Sequence, residues 1–340
     1  MKHIGMDVHS TTTDVCVRNA KGVIVQRSRI KTKAKELQEL VVGIRGHKRV
    51  VLEEDQMADW VTRVLEPHVD EVIRCQPQYN KLISKSEDKW DEADAEALSE
   101  LLYLNRIKPV HHPEVKYRTL REAVRAYWIA SHELTRAKNR LKGWFLFNGT
   151  HEVGGKVYSL GKRAQRLNGM KRQGCNIELA ELLYKKLDYC RQLKADHIRM
   201  LRKVARPVKG QVRLLTTMPA IGPISAYTLV SMLEDGYRIP NKRKLWRYCG
   251  LSLRSRISRD QGFKGASKTG NRLLKNVVMS AAITVVSHGG SNGLLALWER
   301  DIRKKVDPKR ARRNLARKIV VIAQHLLRSQ QEYCDEWLKA

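Results

Sequence analysis

The stretch of sequence that decides the fold is HIGMDVHSTTTDVCVRNAKGVIVQRS, residues 3–28. Its apolar and β-branched runs predict short strands at residues 4–8, 14–18 and 23–25. Residues 19–22, Asn-Ala-Lys-Gly, separate the last two runs and are typical of a hairpin turn. We therefore expect the chain to begin with a meander of three sequential strands.

Helical and strand patterns alternate after this meander. The predicted helices are residues 33–43, 57–65 and 91–104, and the predicted strands between them are residues 49–53 and 71–75. A meander followed by such alternation favours a mixed sheet that is covered by helices. The sequence predicts an α/β domain over residues 1–108.

Two long amphipathic segments then predict an antiparallel helical arm over residues 109–206. The first covers residues 113–148, and the second starts after Asn176, a residue type that caps helices. Between them, residues 149–175 contain several glycines among many basic residues, which predicts a turn or a flexible hairpin. Two interpretations of the arm stay open: a surface for nucleic acid or for another subunit, or a plain helical spacer.

A third unit, mostly α-helical, is expected over residues 207–340. A polar loop rich in Gly, Ser and Lys is predicted up to Gly270, and helices are predicted at residues 271–287 and about 308–337.

The charge of the chain is unevenly distributed. The 340 residues include 66 Lys and Arg against 35 Asp and Glu, a formal net charge of +31. Residues 1–110 hold 18 of each kind, so the whole excess lies in the remainder. Such a surplus of positive charge indicates a polyanionic partner, usually nucleic acid. A basic protein that merely coats RNA is the simpler alternative.

The sequence argues against a secreted or a membrane-spanning protein. The six cysteines form no CxxC pair, which disfavours a zinc ribbon and a disulfide framework. The longest apolar stretch, near residues 277–286, is shorter than the ~20 residues that span a bilayer. The N-terminus shows no signal peptide. We expect a cytoplasmic protein with no membrane partner.

Four acidic residues stand where a metal site could form. Asp7 ends the first predicted strand, Glu53 ends another beside Glu54, and Asp91 and Asp94 lie one helical turn apart. Carboxylates suit Mg²⁺, and two such ions can clamp the attacking and leaving oxygens of a phosphodiester. Each acid alone is equally consistent with a solvated surface charge.

A second pattern, Pro-Ala-Ile-Gly-Pro at residues 219–223, resembles a helix-hairpin-helix. Gly222 would let backbone N–H groups approach a phosphate at the start of the next helix. An ordinary turn between helices is the alternative.

Serine and arginine alternate in a third pattern, at residues 254–259. Arg254, Arg256 and Arg259 could stabilise a phosphorane at an activated serine, or simply bind phosphates. Residues 262–269 only approximate a P-loop, so Lys264 and Lys268 are expected to contact nucleic-acid phosphates instead.

Taken in order, these motifs resemble a known family. The matching segments are GMDVHS, VVLEEDQ, KWDEADAEALSELL, LLTTMPAIGPISAYTL, RYCGLSLRSRIS and GASKTGNRLLKNVV. They resemble the insertion-sequence 110 family of DEDD transposases, which are DNA recombinases guided by a bridge RNA. The resemblance implies a RuvC-like, RNase H-type N-terminal domain and a C-terminal transposase domain with a nucleophilic serine.

The resemblance also implies individual roles. The metal-binding catalytic acids would be Asp7, Glu53, Asp91 and Asp94, with Glu54 as an alternative to Glu53. The family serine follows the glycine of the Ala-Gly-Leu motif by eight residues, which from Gly250 gives Ser258 rather than Ser255 or Ser252. Arg259 follows Ser258 where the family usually has glycine.

The implied partners are DNA, a guide RNA and further copies of the chain. Ser258 would form a transient phosphoserine bond to DNA, assisted by two Mg²⁺ ions, in a homodimer or homotetramer that joins one protomer's serine to another's acids. Two other functions remain open: a metal-dependent Holliday-junction nuclease that uses water, and a non-catalytic scaffold that binds nucleic acid.

Overall fold

The chain forms two compact units, Met1–His112 and Pro113–Ala340. The computed structural model describes residues 1–76, 91–150, 155–258, 261–266, 269–288 and 292–338. Within these ranges, no helix is long and apolar enough to cross a membrane.

A five-stranded mixed sheet forms the centre of the N-terminal unit. Its strands are β1 (Lys2–Val8), β2 (Thr12–Arg18), β3 (Ile24–Lys31), β4 (Lys48–Glu53) and β5 (Glu71–Cys75). The spatial order is β3-β2-β1-β4-β5, with antiparallel pairing among the first three strands and parallel pairing of β4 with β1 and β5. The predicted α/β class of this unit is confirmed.

Helices cover both faces of the sheet. α1 (Ala34–Gly43) and α2 (Ala58–Leu65) pack on the face that presents Ile4, Met6 and Leu52. α3 (Asp91–Tyr103) packs on the opposite face, which presents Val51 and Cys75. Successive side chains of a strand point to opposite faces, so the apolar alternation in β1 and β4 fixes which residues meet α3.

The C-terminal unit begins with two long antiparallel helices, α4 (Val115–Phe147) and α6 (Ile177–Val204). The start of α4 shares a core with the end of α6, and Leu141 near the end of α4 shares another with Tyr184 near the start of α6. The two helices predicted for the arm are present, and Asn176 caps the second, because its side chain accepts a hydrogen bond from the Glu178 N–H.

The predicted flexible hairpin between these helices is wrong for part of its length. Residues 163–172 form a helix, α5 (Arg163–Arg172), after a single 3₁₀ turn at Gly155–Tyr158. Leu167 and Met170 lie three residues apart and bury their side chains in the core of the arm. That burial outweighs the breaking effect of the nearby glycines.

The rest of the unit is a helical core into which the base of the arm packs. Its helices are α7 (Lys209–Thr216), α8 (Pro223–Leu233), α9 (Lys242–Tyr248), α10 (Arg272–His288), α11 (Gly293–Arg303) and α12 (Pro308–Ser329). Leu120 of α4 and Leu201 of α6 share one buried cluster with Leu229 and Val278. The division at residues 108 and 206 therefore stays a prediction.

Three expectations about this unit need correction. The predicted polar loop before Gly270 contains a β-hairpin, β6 (Leu253–Ser258) with β7 (Gln261–Ala266). Main-chain hydrogen bonds hold such a ribbon together. Because they do not require apolar side chains, the hydrophobic pattern of the sequence does not indicate them. Helix α11 was not predicted, and the last helix ends at Ser329 because Gln330 is left-handed (φ 56°).

Candidate active site

Asp7 lies at the carboxyl end of the central strand, on the face that α3 covers. Gly5, two residues earlier, packs so closely that a Cβ there would lie 2.2 Å from the carbonyl oxygen of Ala95. Residues two apart in a strand share a face, so Asp7 points to the side of α3. Its side chain is 17% exposed, a low value for a carboxylate.

Glu53 lies on the same face and at the same end of the sheet. β1 and β4 are parallel neighbours, and Met6 pairs with Leu52, the residues just before Asp7 and Glu53. Val51, two residues before Glu53, packs with Leu98 of α3. Two strand ends therefore bring two carboxylates to one edge.

Helix α3 brings its first turn to that edge. Its last residue, Tyr103, places its ring 5.6 Å from the ring of His3 at the start of β1. The helix therefore runs antiparallel to β1, and its start lies toward Asp7. Asp91 is its first residue and Asp94, which is exposed, follows one turn later. The side chain of Asp91 is outside the described part of the structure.

No complete metal site is formed by the side chains that the structure describes. Among them, no group of three or more His, Cys, Asp or Glu could hold a metal ion. The candidate ligands that the sequence predicts are nevertheless all carboxylates, the ligands that suit Mg²⁺.

Two neighbours of Asp7 were missed by sequence reasoning. The Nε2 atom of His9 lies 3.0 Å from Asp7 Oδ2. Asp14 of β2 is the direct cross-strand partner of Asp7 and is buried, and Arg29 of β3 donates two hydrogen bonds to its carboxylate, at 2.7 and 3.1 Å. Asp14 directly precedes the Val15-Cys16-Val17 run of β2, and a carboxylate next to such an apolar run is the signal that could have identified it.

The two acids after Glu53 have other contacts. Glu54 Oε2 lies 3.3 Å from Nε of Arg74, whose buried guanidinium also contacts Asp59 of α2. The Asp55 carboxylate accepts hydrogen bonds from the N–H groups of Met57 and Ala58 at the start of α2. Glu54 and Asp55 thus connect the loop after β4 to α2 and β5.

Ser258 is the last residue of β6, in the second unit. It pairs with Gln261, and the two residues between them, Arg259 and Asp260, lie outside the described ranges, as does Lys268. Arg254, Arg256 and Lys264 lie on the two strands of the same hairpin. The structure does not describe the side chains of these residues.

The base of this hairpin is closely packed. Gly250 (φ 66°) and Gly270 (φ 127°) face each other, and a Cβ on Gly270 would lie 2.5 Å from the Gly250 nitrogen. Arg317 of α12 donates hydrogen bonds of 2.9 and 2.5 Å to the carbonyl oxygen of Leu251 and stacks on Trp246. These contacts therefore hold the base of the hairpin that carries Ser258 in place.

Gly222 directly precedes α8, and α7 ends six residues before it. Pro223 is the first residue of α8. The φ of Gly222 is −81°, and a Cβ added there would meet nothing within 4 Å. Neither strain nor packing within the chain requires glycine at this position.

Comparison with known proteins identifies two segments. Residues 4–147 match a DEDD transposase family model, and residues 212–294 match the model described as the transposase IS116/IS110/IS902 family. A search of curated proteins found no match. The two segments cover about two thirds of the chain, including the candidate acids and Ser258, and both point to one group. The chain belongs to the IS110 family of transposases.

Proposed function

We propose that this transposase cuts and rejoins DNA through Ser258, assisted by Mg²⁺ at a RuvC-like site formed by Asp7, Glu53, Asp91 and Asp94. One observation carries the proposal: β1, β4 and the start of α3 converge on one edge and one face of the sheet. Isolated surface acids have no reason to converge from three elements.

The surroundings of Asp7 suit an ionised metal ligand. A second carboxylate directly opposite would repel a charge on Asp7, but the bidentate ion pair with Arg29 compensates Asp14. Asp7 therefore faces a carboxylate whose charge is already balanced by an arginine. Glu53 is the better candidate for the second acid, since it lies on the same face and at the same edge of the sheet as Asp7.

Mg²⁺ bound by these four acids, two ions in our proposal, would supply charge stabilisation for phosphoryl transfer. The hydroxyl of Ser258 attacks the phosphorus of a DNA phosphodiester and gives up its proton. A Ser258 Oγ–P bond forms while the bond from phosphorus to one sugar oxygen breaks, which releases that sugar as a hydroxyl. A hydroxyl of the exchanged strand then attacks the phosphoserine, so a phosphodiester is restored without net hydrolysis.

The basic residues around Ser258 would bind the phosphates of the substrate. Arg254, Arg256, Arg259, Lys264 and Lys268 lie on or beside its hairpin. At Gly222, the open space around the N-cap would allow a phosphate to approach the N-terminus of α8.

The acids and Ser258 belong to different units of the chain. We propose that they meet between protomers, in a homodimer or homotetramer, and that a structured guide RNA selects the DNA. The enzyme would act in the cytoplasm on nucleoid DNA. We also propose that its chain is divided into three domains, with boundaries at residues 108 and 206.

Trapping of the covalent intermediate tests the nucleophile. Wild-type protein, supplied with Mg²⁺, guide RNA and DNA carrying an element end, should give a protein–DNA adduct on a denaturing gel, with the modified peptide containing Ser258. Ser258→Ala should abolish the adduct, whereas Ser255→Ala, a serine of the same strand, should retain it.

Two results would contradict this mechanism. Mg²⁺-dependent cleavage without an adduct would support a nuclease that uses water. DNA binding with no cleavage and no response to loss of Asp91 would support a non-catalytic scaffold.

A further inference from the structure

A concentration of positive charge lies at the junction of α11 and α12, outside both segments that match the family models. We define the basic elbow as residues 300–318, which contain ten Lys and Arg and two Asp. This elbow joins the end of α11 to the first half of α12. Family membership therefore assigns it no role.

The stability of the elbow does not account for its charges. Lys309 and Arg310 occupy the first turn of α12, which contains no acidic residue, and cations at a helix N-terminus oppose the helix dipole. Lys304, Lys309 and Arg310 are exposed and have no acidic partner in the described parts of the chain. Cations such as Lys309 and Arg310, which gain nothing from the helix dipole, fit a polyanionic partner.

A cavity of about 260 Å³ opens beside the elbow, between α11 and α12. Its polar lining comes from Trp298, Arg300, Asp301, Asn314 and Lys318. Asn314 donates a hydrogen bond of 2.9 Å to Asp301, the acidic residue of the lining. The buried indole N–H of Trp298 has no acceptor among the described residues.

Two cations, Arg300 and Lys318, line this cavity, and Lys242 lies near Lys318. Burial and the nearby positive charges of Lys242 and Arg300 lower the pKa of Lys318. Lys242 belongs to α9, Arg300 to α11 and Lys318 to α12. An anion with several acceptor oxygens would relieve this repulsion and satisfy the indole N–H.

Helix α12 connects the elbow to the hairpin of Ser258. Arg317, next to Lys318, holds the carbonyl of Leu251 two residues before β6 begins. A strand held at the elbow is thus held at a fixed position relative to that hairpin within the same unit.

We infer that the basic elbow and its cavity bind the phosphate backbone of the DNA substrate, with one phosphate between Arg300 and Lys318. This deepens the proposed function, since it rests on DNA as the substrate. It does not depend on Ser258 as the nucleophile.

Binding without chemistry tests the inference and separates it from the proposed mechanism. Full-length protein carrying Ser258→Ala is titrated in EDTA against a fluorescent DNA duplex at several salt concentrations. The elbow variant combines Lys304→Gln, Lys309→Gln and Arg310→Gln. The control combines Lys21→Gln, Lys33→Gln and Lys35→Gln, which removes the same charge from exposed positions of the N-terminal unit.

In the elbow variant, the plot of log affinity against log salt should become less steep, its slope decreasing in magnitude by about 2–3. In the control the decrease should be less than about 1. Equal changes in both variants would overturn the inference, because net charge alone would explain them. Weaker binding of a structured RNA with unchanged binding of the duplex would also overturn it.

The cavity has its own test. Trp298→Phe keeps an aromatic ring and removes the N–H donor, so it should weaken duplex binding about two- to tenfold. Thermal melting of each variant checks the fold, and the elbow variant should melt no lower than the parent. Unchanged affinity in a folded Trp298→Phe variant would remove the cavity from the proposed phosphate site.

Discussion

At the scale of single residues, the carboxylates near the edge of the sheet differ in the partners that they contact. Asp14 is paired with Arg29, Glu54 with Arg74, and Asp55 accepts hydrogen bonds from backbone N–H groups at the start of α2. Burying a carboxylate is costly unless a charge or hydrogen bonds compensate it. These contacts therefore explain several acids near the edge of the sheet by structure alone, while Glu53 is distinguished from Glu54 by the face of the sheet on which it lies.

Substitution of the two consecutive glutamates tests this distinction. Glu53→Gln should reduce Mg²⁺-dependent strand exchange by at least about a hundredfold, because a lost metal ligand costs more than a lost outer-shell partner. Glu54→Gln should keep exchange within a few-fold and lower the free energy of unfolding by about 1 kcal/mol or less, since Glu54 is partly exposed to solvent. The measurements are exchange assays and urea denaturation, and the reverse ranking of the variants in exchange would assign the metal to Glu54.

At the scale of elements, two close backbone contacts position the functional segments. Gly5 lets α3 lie directly on β1, which brings the start of α3 toward Asp7. Gly250 and Gly270 let the two ends of the β6–β7 segment meet below the hairpin. In both places a Cβ would collide with main-chain atoms, which cannot rotate away as a flexible side chain can.

The base of the hairpin gives the prediction at this scale. Gly270→Ala would place a Cβ 2.5 Å from the Gly250 nitrogen at a φ of 127°, so the hairpin must shift. A displacement of about 1 Å can cost a hundredfold in rate, and strand exchange should fall by about that factor. DNA affinity should change little.

The matched control is Gly210→Ala in α7, where a Cβ meets nothing within 4 Å. It should leave exchange unchanged. Normal exchange by a folded Gly270→Ala variant would show that the hairpin does not need this base.

At the scale of the whole molecule, charge and chemistry are divided between two units. Residues 1–110 are neutral overall and carry the acids, while the remainder carries the entire positive excess and Ser258. A neutral unit can concentrate carboxylates without drawing the DNA-binding cations of the same chain into ion pairs. This division fits a site that is completed only when protomers assemble on DNA.

Complementation between inactive variants tests that assembly. Ser258→Ala and Asp7→Ala should each be inactive alone. If one protomer's serine meets another's acids, mixed assemblies contain an intact site, and strand exchange should return to a sizeable fraction of the wild-type rate. Size-exclusion chromatography of differently tagged variants confirms that they co-assemble, and continued inactivity of such mixed assemblies would place both parts of the site in one protomer.

Local patterns were sufficient for much of the fold. Four of the five strands, helices α1 to α3 and the two arm helices are predicted close to their observed ends, since period and turn residues are local signals. The exception is β3, which continues to Lys31, six residues beyond its predicted end at Val25. Helix α5, helix α11 and the β6–β7 hairpin were not predicted. Their sequences are polar or glycine-rich, and contacts with residues distant in the chain decide their conformation.

The sequence by itself determined the α/β order of the N-terminal unit, the charge division and the family, because each is written in residue order and composition. Tertiary structure alone decided that Asp7 and Glu53 share a face with the start of α3, that Arg29 compensates Asp14, and that Arg317 fixes the base of the serine hairpin. The physical reason is that faces, ion pairs and close backbone contacts arise between residues far apart in the chain. They depend on packing, which no local pattern encodes.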